Sequence, residues 1–229
     1  VLRRFTLKQY SYKVKNVKKL ANDIHEITLT PDKDRIKYNP GQFAYLRIKD
    51  DSISSEPHPF SFTSKPEDKN ISFGIKAIGD YTSQISENLK RAKVLIQGAY
   101  GSFSSSNGTN KQIWIAGGIG ITPFVSMAKT LNKDVEATLF YSCNTEDDFA
   151  YLEELKALSS KNKNFSLVQW VSKNKGRMTI QDIFDKAKVN TETTFFLCGP
   201  SSMMKDFESQ LKEKGVKKEF IFIEHFRML

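Results

Sequence analysis

A glycine-rich turn between an apolar strand and a predicted helix has the composition of a phosphate-binding site. Residues 115–124 read IAGGIGITPF. Gly117, Gly118 and Gly120 let the backbone approach a phosphate closely, and the amides of a helix N-terminus favour its charge. Pro123 suits the first helical turn, where its missing N–H costs nothing. The order G-G-x-G-x-x-P differs from the usual G-x-G-x-x-G, and the strand–turn–helix context is what favours a binding role.

A second turn closes a later apolar strand, where residues 196–200 read FLCGP. Ligands of open α/β sheets collect outside the carboxyl ends of the strands. We therefore expect Cys198, Gly199 and Pro200 to face the same crevice as the glycine-rich turn. A cysteine alone is commonly a small buried hydrophobic residue, but its place before Gly-Pro at a strand end favours contact with a reacting ring.

The first half of the chain carries two further motifs, HPFSFTS at residues 58–64 and GAYGS at residues 98–102. Six short β-branched or aromatic segments, bounded by Pro, Gly, Asp and Asn, surround these motifs between residues 10 and 97. Only residues 81–89 have a helical pattern there. This organisation predicts an antiparallel sandwich or barrel.

The second half alternates strands with helices over short links, which predicts a parallel, doubly wound sheet. One of these helices is predicted at residues 147–159. The polar stretch 104–110 is the best boundary between the two patterns. We therefore predict two domains, residues 1–104 and residues 105–229.

The composition excludes several classes of protein. Of the 229 residues, 39% are hydrophobic and 12% are aromatic, too many for a disordered chain. No run approaches the roughly 18 to 20 apolar residues of a membrane span, which predicts a soluble domain. Cys143 and Cys198 are too few for a disulfide framework, a four-cysteine iron–sulfur cluster or a structural zinc site, and we predict no metal site.

The net charge is +9, and the first twenty residues contain seven Lys and Arg but no acid. A solvated strand face and contact with anionic lipid or an acidic partner both remain open. No nucleic-acid-binding signature accompanies the charge, so nucleic acid is not an expected partner. The chain starts at Val1 with neither a signal peptide nor an initiator Met, and we expect it to be an excised part of a longer protein.

The motifs HPFSFTS, GAYGS, GGIGITP, CGP and a terminal Glu-His-Phe occur in an order that resembles the ferredoxin–NADP reductase superfamily. The resemblance covers nearly the whole chain and is greatest to the cytosolic dehydrogenase domain of bacterial NADPH oxidases and of ferric reductases. It implies an N-terminal antiparallel β-barrel that binds FAD and a C-terminal α/β domain, a doubly wound parallel sheet, that binds NAD(P)H.

The resemblance also implies roles in FAD binding. His58 takes the place of an arginine near the FAD phosphates, Phe60 packs on the flavin region, and Ser61 hydrogen-bonds the flavin near N5. Because histidine is a weaker and titratable anion partner, we predict loose FAD binding. The other implied FAD-binding residues are Pro59, Ser64, Lys76, Thr82, Gly98, Tyr100, Gly101 and Ser102.

For the nicotinamide nucleotide, the resemblance implies contacts from both glycine-containing turns. Cys198 and Glu224 would flank the nicotinamide and flavin rings, and with Ser61 and Phe226 they form the predicted catalytic set. Phe226 would stack on the flavin and move for the nicotinamide to bind. The implied nucleotide-binding residues are Gly117, Gly118, Gly120, Thr122, Pro123, Arg177, Cys198, Gly199 and Pro200.

The preference between NADPH and NADH depends on basic residues near the 2′-phosphate. Three consecutive acids at residues 146–148 disfavour a phosphate by like-charge repulsion. Lys173, Lys175 and Arg177, after the third strand of the second half, are able to supply the positive charge, although a solvated basic loop is an equal alternative. We predict that both nucleotides are used, with NADPH modestly preferred through Arg177.

The implied reaction is hydride transfer from NAD(P)H to FAD, followed by transfer of single electrons to b-type haems and oxygen, as in a superoxide-generating NADPH oxidase. The haems would lie in a transmembrane domain of the same polypeptide, which places this monomeric domain at the cytoplasmic face of the cell membrane beside anionic headgroups. The alternatives are a ferric-chelate reductase domain, a free-standing soluble flavin or ferredoxin reductase, and a non-enzymatic basic binding module.

Overall fold

A computed structural model of the chain describes residues 8–50, 56–85, 89 and 92–224. The strands in this part are β1 (Gln9–Ala21), β2 (Ile24–Pro31), β3 (Phe43–Lys49), β4 (His58–Ser61), β5 (Ile71–Lys76), β6 (Lys93–Tyr100), β7 (Lys111–Gly117), β8 (Glu136–Cys143), β9 (Phe165–Val171), β10 (Thr194–Cys198) and β11 (Ile221–Glu224). The helices are α1 (Asp80–Ser83), α2 (Thr122–Lys129), α3 (Leu152–Lys161), α4 (Ser172–Lys175), α5 (Ile180–Lys186) and α6 (Ser201–Glu213).

The first six strands form an antiparallel sheet in the order β4-β3-β6-β1-β2-β5. The segment after β4 returns to β5 through a bridge between Phe62 and Phe73, and the Thr63 amide donates to the carbonyl oxygen of Ser72 at 2.8 Å. These bonds join the two edges of the sheet, so the predicted barrel is confirmed. Its interior is filled by alternate strand residues, such as Leu46 of β3.

The remaining five strands form a parallel sheet in the order β11-β10-β7-β8-β9. Helices α2 and α3 cover the face that presents Trp114 and Phe196, and α5 and α6 cover the face that presents Ile115 and Phe195. Both faces are buried, which explains why these strands are continuous apolar runs. The predicted doubly wound domain is confirmed.

The third helix begins later than the predicted start at residue 147. Residues Glu146–Asp148 form a separate 3₁₀ turn, because the Asp148 carboxylate accepts bonds from the Thr145 hydroxyl at 2.8 Å and the Thr145 amide at 2.9 Å. Tyr151 then adopts a φ of +59°, outside the right-handed helical region. The helix therefore begins at Leu152.

The helix and the domain boundary predicted for the first half of the chain differ in how far the structure tests them. The helix predicted at residues 81–89 is the short α1, and residues 86–88 lie outside the described part of the chain. The predicted domain boundary at residues 104 and 105 falls in the connection between β6 and β7, and it stays a prediction. None of the helices in the described part combines the length and the apolar character that crossing a bilayer requires.

The barrel packs directly against the start of α2 at Gly74 of β5. A Cβ at Gly74 would lie 2.5 Å from Cγ2 of Thr122 and 2.8 Å from the hydroxyl oxygen of Tyr151. Both neighbours are buried, so neither side chain has free space into which to move. The close approach of the two domains at this point therefore requires glycine.

We predict that Gly74→Ala lowers the free energy of unfolding by about 1–3 kcal/mol, the usual cost of overpacking a closely packed site. Urea unfolding of the two proteins measures the difference. Gly79→Ala is the matched control, because a Cβ there meets nothing within 4 Å, and it should change stability by no more than about 0.5 kcal/mol. Equal effects of the two substitutions would show that the contact at Gly74 is not close.

Candidate functional site

The glycine-rich turn and the Cys-Gly-Pro turn contact each other at the carboxyl edge of the parallel sheet. A Cβ at Gly120 would overlap the carbonyl oxygen of Cys198, and a Cβ at Gly117 would lie 2.9 Å from Cδ of Pro200. Glycine at these positions is therefore what allows the two turns to meet. The structure brings together the two motifs that the sequence assigned to one crevice.

A cavity of about 560 Å³ opens beside these turns, with Gly117 and Gly118 in its wall. This volume is in the range of pockets that bind organic cofactors. Gly118 has a φ of +52°, which other residues rarely adopt. Both domains contribute to the lining, which is formed by Asp23, Ile24, Lys76, Gly117, Gly118, Ser142, Cys143, Asn144, Asp148, Ser172, Arg177, Met178, Thr179, Pro200, Ser202, Met203, Asp206, Phe207 and Gln210.

The charged groups of this cavity differ in how they are paired. The Lys76 ammonium forms an ion pair with Asp23 at 3.3 Å. Hydrogen bonds from the side chain and backbone of Thr145 lower the pKa of Asp148, so this carboxylate is already satisfied. Arg177 makes no ion pair with any described residue. The guanidinium of Arg177 is therefore the cavity's unpaired cation within the described part of the chain.

The basic residues that precede Arg177 have other surroundings. The Lys175 ammonium lies 5.3 Å from the centre of the Trp170 ring, which is a cation–π distance. Neither Lys173 nor Lys175 lines the cavity. Of the three basic residues that the sequence offered for a 2′-phosphate, the structure brings only Arg177 to the cavity wall.

Strand β4 of the barrel carries two buried polar atoms that have no hydrogen-bond partner, Nε2 of His58 and Oγ of Ser61. The His58 ring packs against the Tyr81 ring of α1, with centroids 4.0 Å apart. An unsatisfied buried polar atom costs about 1–3 kcal/mol. A polar ligand along β4 would supply partners to both atoms, and these residues therefore fit the FAD that the sequence led us to expect.

Three of the four predicted catalytic residues, those within the described part of the chain, border the region where the barrel meets the end of the parallel sheet. Phe43 is the cross-strand neighbour of Ser61, and its ring lies 3.3 Å from where a Cβ of Gly101 would be. Oε2 of Glu224 lies 3.5 Å from the same point. Cys198 is the neighbour of Glu224 across the β10–β11 pair. Phe43 and Gly101 therefore lie between Ser61 and Glu224, and Cys198 is next to Glu224 in the sheet.

Burial controls the protonation of two groups in this region. Burial raises the pKa of Glu224 to about 7, so both forms of the carboxyl group are present near neutral pH. Burial, assisted by the charge of Glu224, raises the pKa of Cys198 well above its ordinary value. The Cys198 thiol is therefore protonated and acts as a packing surface rather than as a nucleophile.

Three predicted FAD-binding side chains have other partners in the structure. Lys76 lines the cavity beside the glycine turns and pairs with Asp23, and its role at the FAD pyrophosphate stays a prediction from the resemblance. The Ser64 hydroxyl forms a 2.8 Å hydrogen bond with the hydroxyl of Tyr38. The Thr82 hydroxyl accepts a hydrogen bond from the Ile78 amide at 2.9 Å, at the start of α1. These bonds hold the barrel together.

The last residue of β6 and the glycine that follows it contact the start of β3 and Gln42, the residue before β3. Nε2 of Gln42 donates to the carbonyl oxygen of Gly101 at 2.8 Å, and the Tyr100 and Phe43 rings lie 5.9 Å apart. Ser102 is exposed. Phe226 lies outside the described residues, so its role on the flavin stays a prediction from the sequence.

The other predicted residues of the two turns are buried or lie at the cavity. Thr122 and Pro123 are buried, and the Thr122 hydroxyl donates to the carbonyl oxygen of Ile119 at 3.1 Å. Pro200 lines the cavity, and Gly199 packs against the backbone of Gly117. On β4, Phe60 packs against the barrel core and Pro59 pairs with Tyr45 of β3.

Sequence reasoning did not identify the contribution of α6 to the cavity. Met203, Asp206 and Gln210 line it from this helix, and Ser172 lines it from the start of α4. The sequence of α6 is that of an ordinary amphipathic helix, so nothing in it singles these residues out. Their role depends on the angle at which α6 leaves the Cys-Gly-Pro turn.

Comparisons with known families and proteins agree with this geometry. Residues 9–132 match a family described as an FAD-binding domain, and residues 114–209 match an oxidoreductase NAD-binding domain. The chain is 25% identical over 224 residues to the xylene/toluene monooxygenase electron transfer component of Pseudomonas putida, covering 91% of the chain and 63% of the relative. It is 27% identical over 203 residues to the ferredoxin reductase component of the 3-ketosteroid-9-alpha-monooxygenase of Mycolicibacterium smegmatis, covering 86% and 58%.

The chain thus spans about three-fifths of the length of these curated relatives. Among solved structures, it resembles a ferredoxin NADP+ reductase from Neisseria gonorrhoeae with bound FAD and NADP, with a TM-score of 0.81 and 18% identity. That match covers 95% of this chain and 98% of the other, and it establishes the shared two-domain fold.

We predict that the raised pKa of Glu224 makes folding stability depend on pH. Between its ordinary pKa of 4.5 and its folded pKa of about 7, the folded chain holds a proton that the unfolded chain has released. Stability therefore falls as pH rises through this window. Thermal unfolding of the cofactor-free protein between pH 5 and pH 8 should show a larger fall in Tm for the wild type than for Glu224→Gln.

The exposed Glu219, the middle residue of the 3₁₀ turn Lys218–Phe220 that precedes β11, offers the matched control. Glu219→Gln should retain the wild-type slope of Tm against pH. The same slope in all three proteins would contradict the assignment of the raised pKa to Glu224.

Proposed function

The chain belongs to the FAD-binding domain family, and we propose from that membership that it is the reductase module of an electron-transfer system. It is an FAD-dependent NAD(P)H oxidoreductase with the fold of the ferredoxin–NADP reductase superfamily. In our proposal it takes electrons from NAD(P)H and delivers them to an acceptor carried by another domain or protein. The observation that carries this proposal is that Phe43 and Gly101 bridge Ser61 of the barrel to Glu224 and Cys198 at the edge of the parallel sheet that holds the glycine turns.

When bound, the nicotinamide nucleotide supplies a hydride to FAD, which releases the two electrons one at a time. The chain's own residues position and insulate these groups. Gly117 and Gly118 would form the wall against which the phosphates bind, since both line the cavity and neither has a side chain to occupy it, and Oγ of Ser61 is free to hydrogen-bond the flavin. Glu224, with a pKa of about 7, holds or releases a proton at its carboxylate beside Gly101.

The acceptor in this proposal lies outside the chain. Its two cysteines cannot hold a four-cysteine iron–sulfur cluster. The relatives reported above are named as electron transfer and ferredoxin reductase components of oxygenases. These names favour a separate protein acceptor, such as an iron–sulfur protein or an oxygenase component. They favour it over the membrane haem that the resemblance to NADPH oxidases implies.

A second candidate keeps the bacterial NADPH oxidase reading, with a haem-containing membrane domain as acceptor and the chain at the cytoplasmic face of the membrane. A row of exposed lysines favours it: Lys13 of β1 pairs with Lys93 of β6, which pairs with Lys49 of β3. Three adjacent strands thus present lysines at one level of the barrel, where Asp32 pairs with Lys13 at 3.5 Å and offsets part of the charge. Such a row would attract anionic headgroups.

Stopped-flow reduction of the FAD-loaded protein tests the proposed function. We expect NADPH and NADH each to bleach the flavin absorbance band. Ser61→Ala should slow this reduction about ten-fold, the rate equivalent of one hydrogen bond. Ser166→Ala, at an exposed position of β9, is the control and should match the wild type. A protein that binds FAD but is reduced by neither nucleotide would refute the proposal.

The same reduced protein distinguishes the two candidates. It should pass electrons to a [2Fe–2S] ferredoxin faster than to oxygen or to a ferric chelate if a separate protein is the acceptor. Superoxide as the main product, together with salt-sensitive sedimentation on phosphatidylglycerol vesicles but not on phosphatidylcholine vesicles, would favour the membrane oxidase.

We also predict that Arg177 discriminates between the nucleotides. Because its guanidinium is the unpaired cation in the described cavity wall, Arg177→Ala should raise the KM for NADPH about ten-fold, equivalent to one charge-assisted hydrogen bond. The KM for NADH should change by less than about two-fold. Lys175→Ala, which removes the ammonium over Trp170, is the control. Equal KM values for NADPH in wild type and Arg177→Ala would exclude this role.

A further inference from the structure

Helix α2 is bonded to the barrel by two side chains on its second half. Oγ of Ser126 donates to the carbonyl oxygen of Ser64 at 2.7 Å, and Nζ of Lys129 donates to the carbonyl oxygen of Thr63 at 2.9 Å. Ser126 is fully buried, and the Lys129 side chain is only 14% exposed. Both bonds cross the seam between the domains, so they connect elements that the sequence places more than 60 residues apart.

The two acceptor carbonyls, those of Thr63 and Ser64, lie two and three residues after Ser61, the residue assigned to the flavin side. The intervening chain is held to β5, since the Thr63 amide donates to Ser72 at 2.8 Å and the Ser72 amide donates to Oγ of Ser64 at 2.9 Å. A segment of two or three residues bonded in this way is stiff. A shift of the Thr63 and Ser64 carbonyls would therefore act on Ser61, which is also held by its pairing with Phe43 of β3.

The other end of α2 leads into the glycine-rich turn. Thr122 begins the helix and packs against Gly74 of β5, and the helix from there to Lys129 is a rod about 10 Å long at 1.5 Å per residue. A helix of this length transmits a displacement from one end to the other. Bonds at Ser126 and Lys129 therefore act on Gly117 and Gly118 as well.

Lys129 is also part of a charged group that joins three elements. Its ammonium forms an ion pair with Glu154 of α3 at 2.9 Å. Glu26 of β2 lies close enough for the charge of Lys129 to oppose the effect of burial on its pKa. The Thr63 hydroxyl donates to Glu26 at 3.4 Å. The Lys129 bond is thus charge-assisted and partly shielded from water, the conditions under which such bonds are strong.

We propose that Ser126 and Lys129 are positioning residues for hydride transfer, an inference that rests on the proposed function. Neither lines the cavity beside the glycine-rich turn. By joining α2 to the carbonyls of Thr63 and Ser64, they fix the glycine-rich turn relative to Ser61 and so set the spacing of the nicotinamide and flavin rings. Hydride transfer is sensitive to this spacing, since a misplacement of about 1 Å can cost a hundred-fold in rate.

The test compares Ser126→Ala, Lys129→Met and Lys129→Arg with the wild type. Lys156→Met is the matched control, because it removes a lysine from an exposed ion pair with Glu153 on α3, away from the seam. For each protein, the measurements are Tm, the Kd values for FAD and NADP+, and the limiting rate of flavin reduction at saturating nucleotide. A nucleotide deuterated at the transferred position gives the kinetic isotope effect.

We expect Lys129→Met to lower the limiting rate at least ten-fold and Ser126→Ala at least three-fold, each with a larger isotope effect. Both Kd values should stay within two-fold of the wild type. Lys129→Arg, which keeps a cation able to donate to Thr63 and Glu154, should recover the rate to within three-fold. Lys156→Met should match the wild type.

Hydrogen exchange in the cofactor-free protein provides a readout that does not depend on activity. Amides of residues 62–64 should exchange faster in Ser126→Ala and Lys129→Met than in the wild type or Lys156→Met, because the segment has lost its bond to α2. If Lys129→Met does not fold, Ser126→Ala and Lys129→Arg still test the inference.

Two results would overturn the positioning role while leaving the proposed function intact. One is a wild-type limiting rate and isotope effect in Ser126→Ala and Lys129→Met. The other is a loss of Tm or FAD affinity with an unchanged limiting rate, which would assign these residues to stability alone. A wild-type protein that neither nucleotide reduces would instead refute the proposed function and this inference together.

Discussion

Close packing between the barrel and the parallel sheet is the constraint on which the rest of the structure depends. Groups that fit a flavin lie on the barrel, whereas the turns that fit a nucleotide lie on the sheet. At the seam, a Cβ on Gly74 would press into Thr122, and one on Gly41 would lie 3.2 Å from Sδ of Met127 of α2. Because packed interfaces do not deform continuously, such contacts fix two separately built half-sites in one relative position.

Burial at this seam also determines the electrostatics of the site. The same exclusion of water that raises the pKa of Glu224 to about 7 keeps the Cys198 thiol protonated, since both charged forms lose hydration. In the more open nucleotide cavity, Asp23 pairs with Lys76 and Asp148 is satisfied by Thr145. The buried region at Glu224 and Cys198 therefore suits uncharged rings, whereas the open cavity beside the glycine turns suits phosphates.

The sequence was sufficient for the features whose signals are local. Alternating apolar residues predicted the barrel, and the regular alternation of strands with helices predicted the doubly wound sheet. The two glycine-containing turns predicted that Gly117 and Pro200 would lie close together. Features that depend on contacts between distant segments were not predictable in this way. The partner of Lys76 is Asp23, in the turn between β1 and β2, and no local pattern could have distinguished that ion pair from a phosphate contact.

The orphaned polar atoms of β4 connect the site to the stability of the fold. His58 and Ser61 contribute to the barrel wall, yet each leaves one buried polar atom without a partner. A cofactor that completes these bonds interacts with the folded chain and not with the unfolded one, so its binding energy adds to stability by linkage. In Ser64, by contrast, the hydroxyl is hydrogen-bonded to the Tyr38 hydroxyl, and the carbonyl oxygen accepts a hydrogen bond from Ser126. Within seven residues, HPFSFTS therefore combines polar atoms that are free to bind a ligand with carbonyl groups that are bonded across the seam to α2.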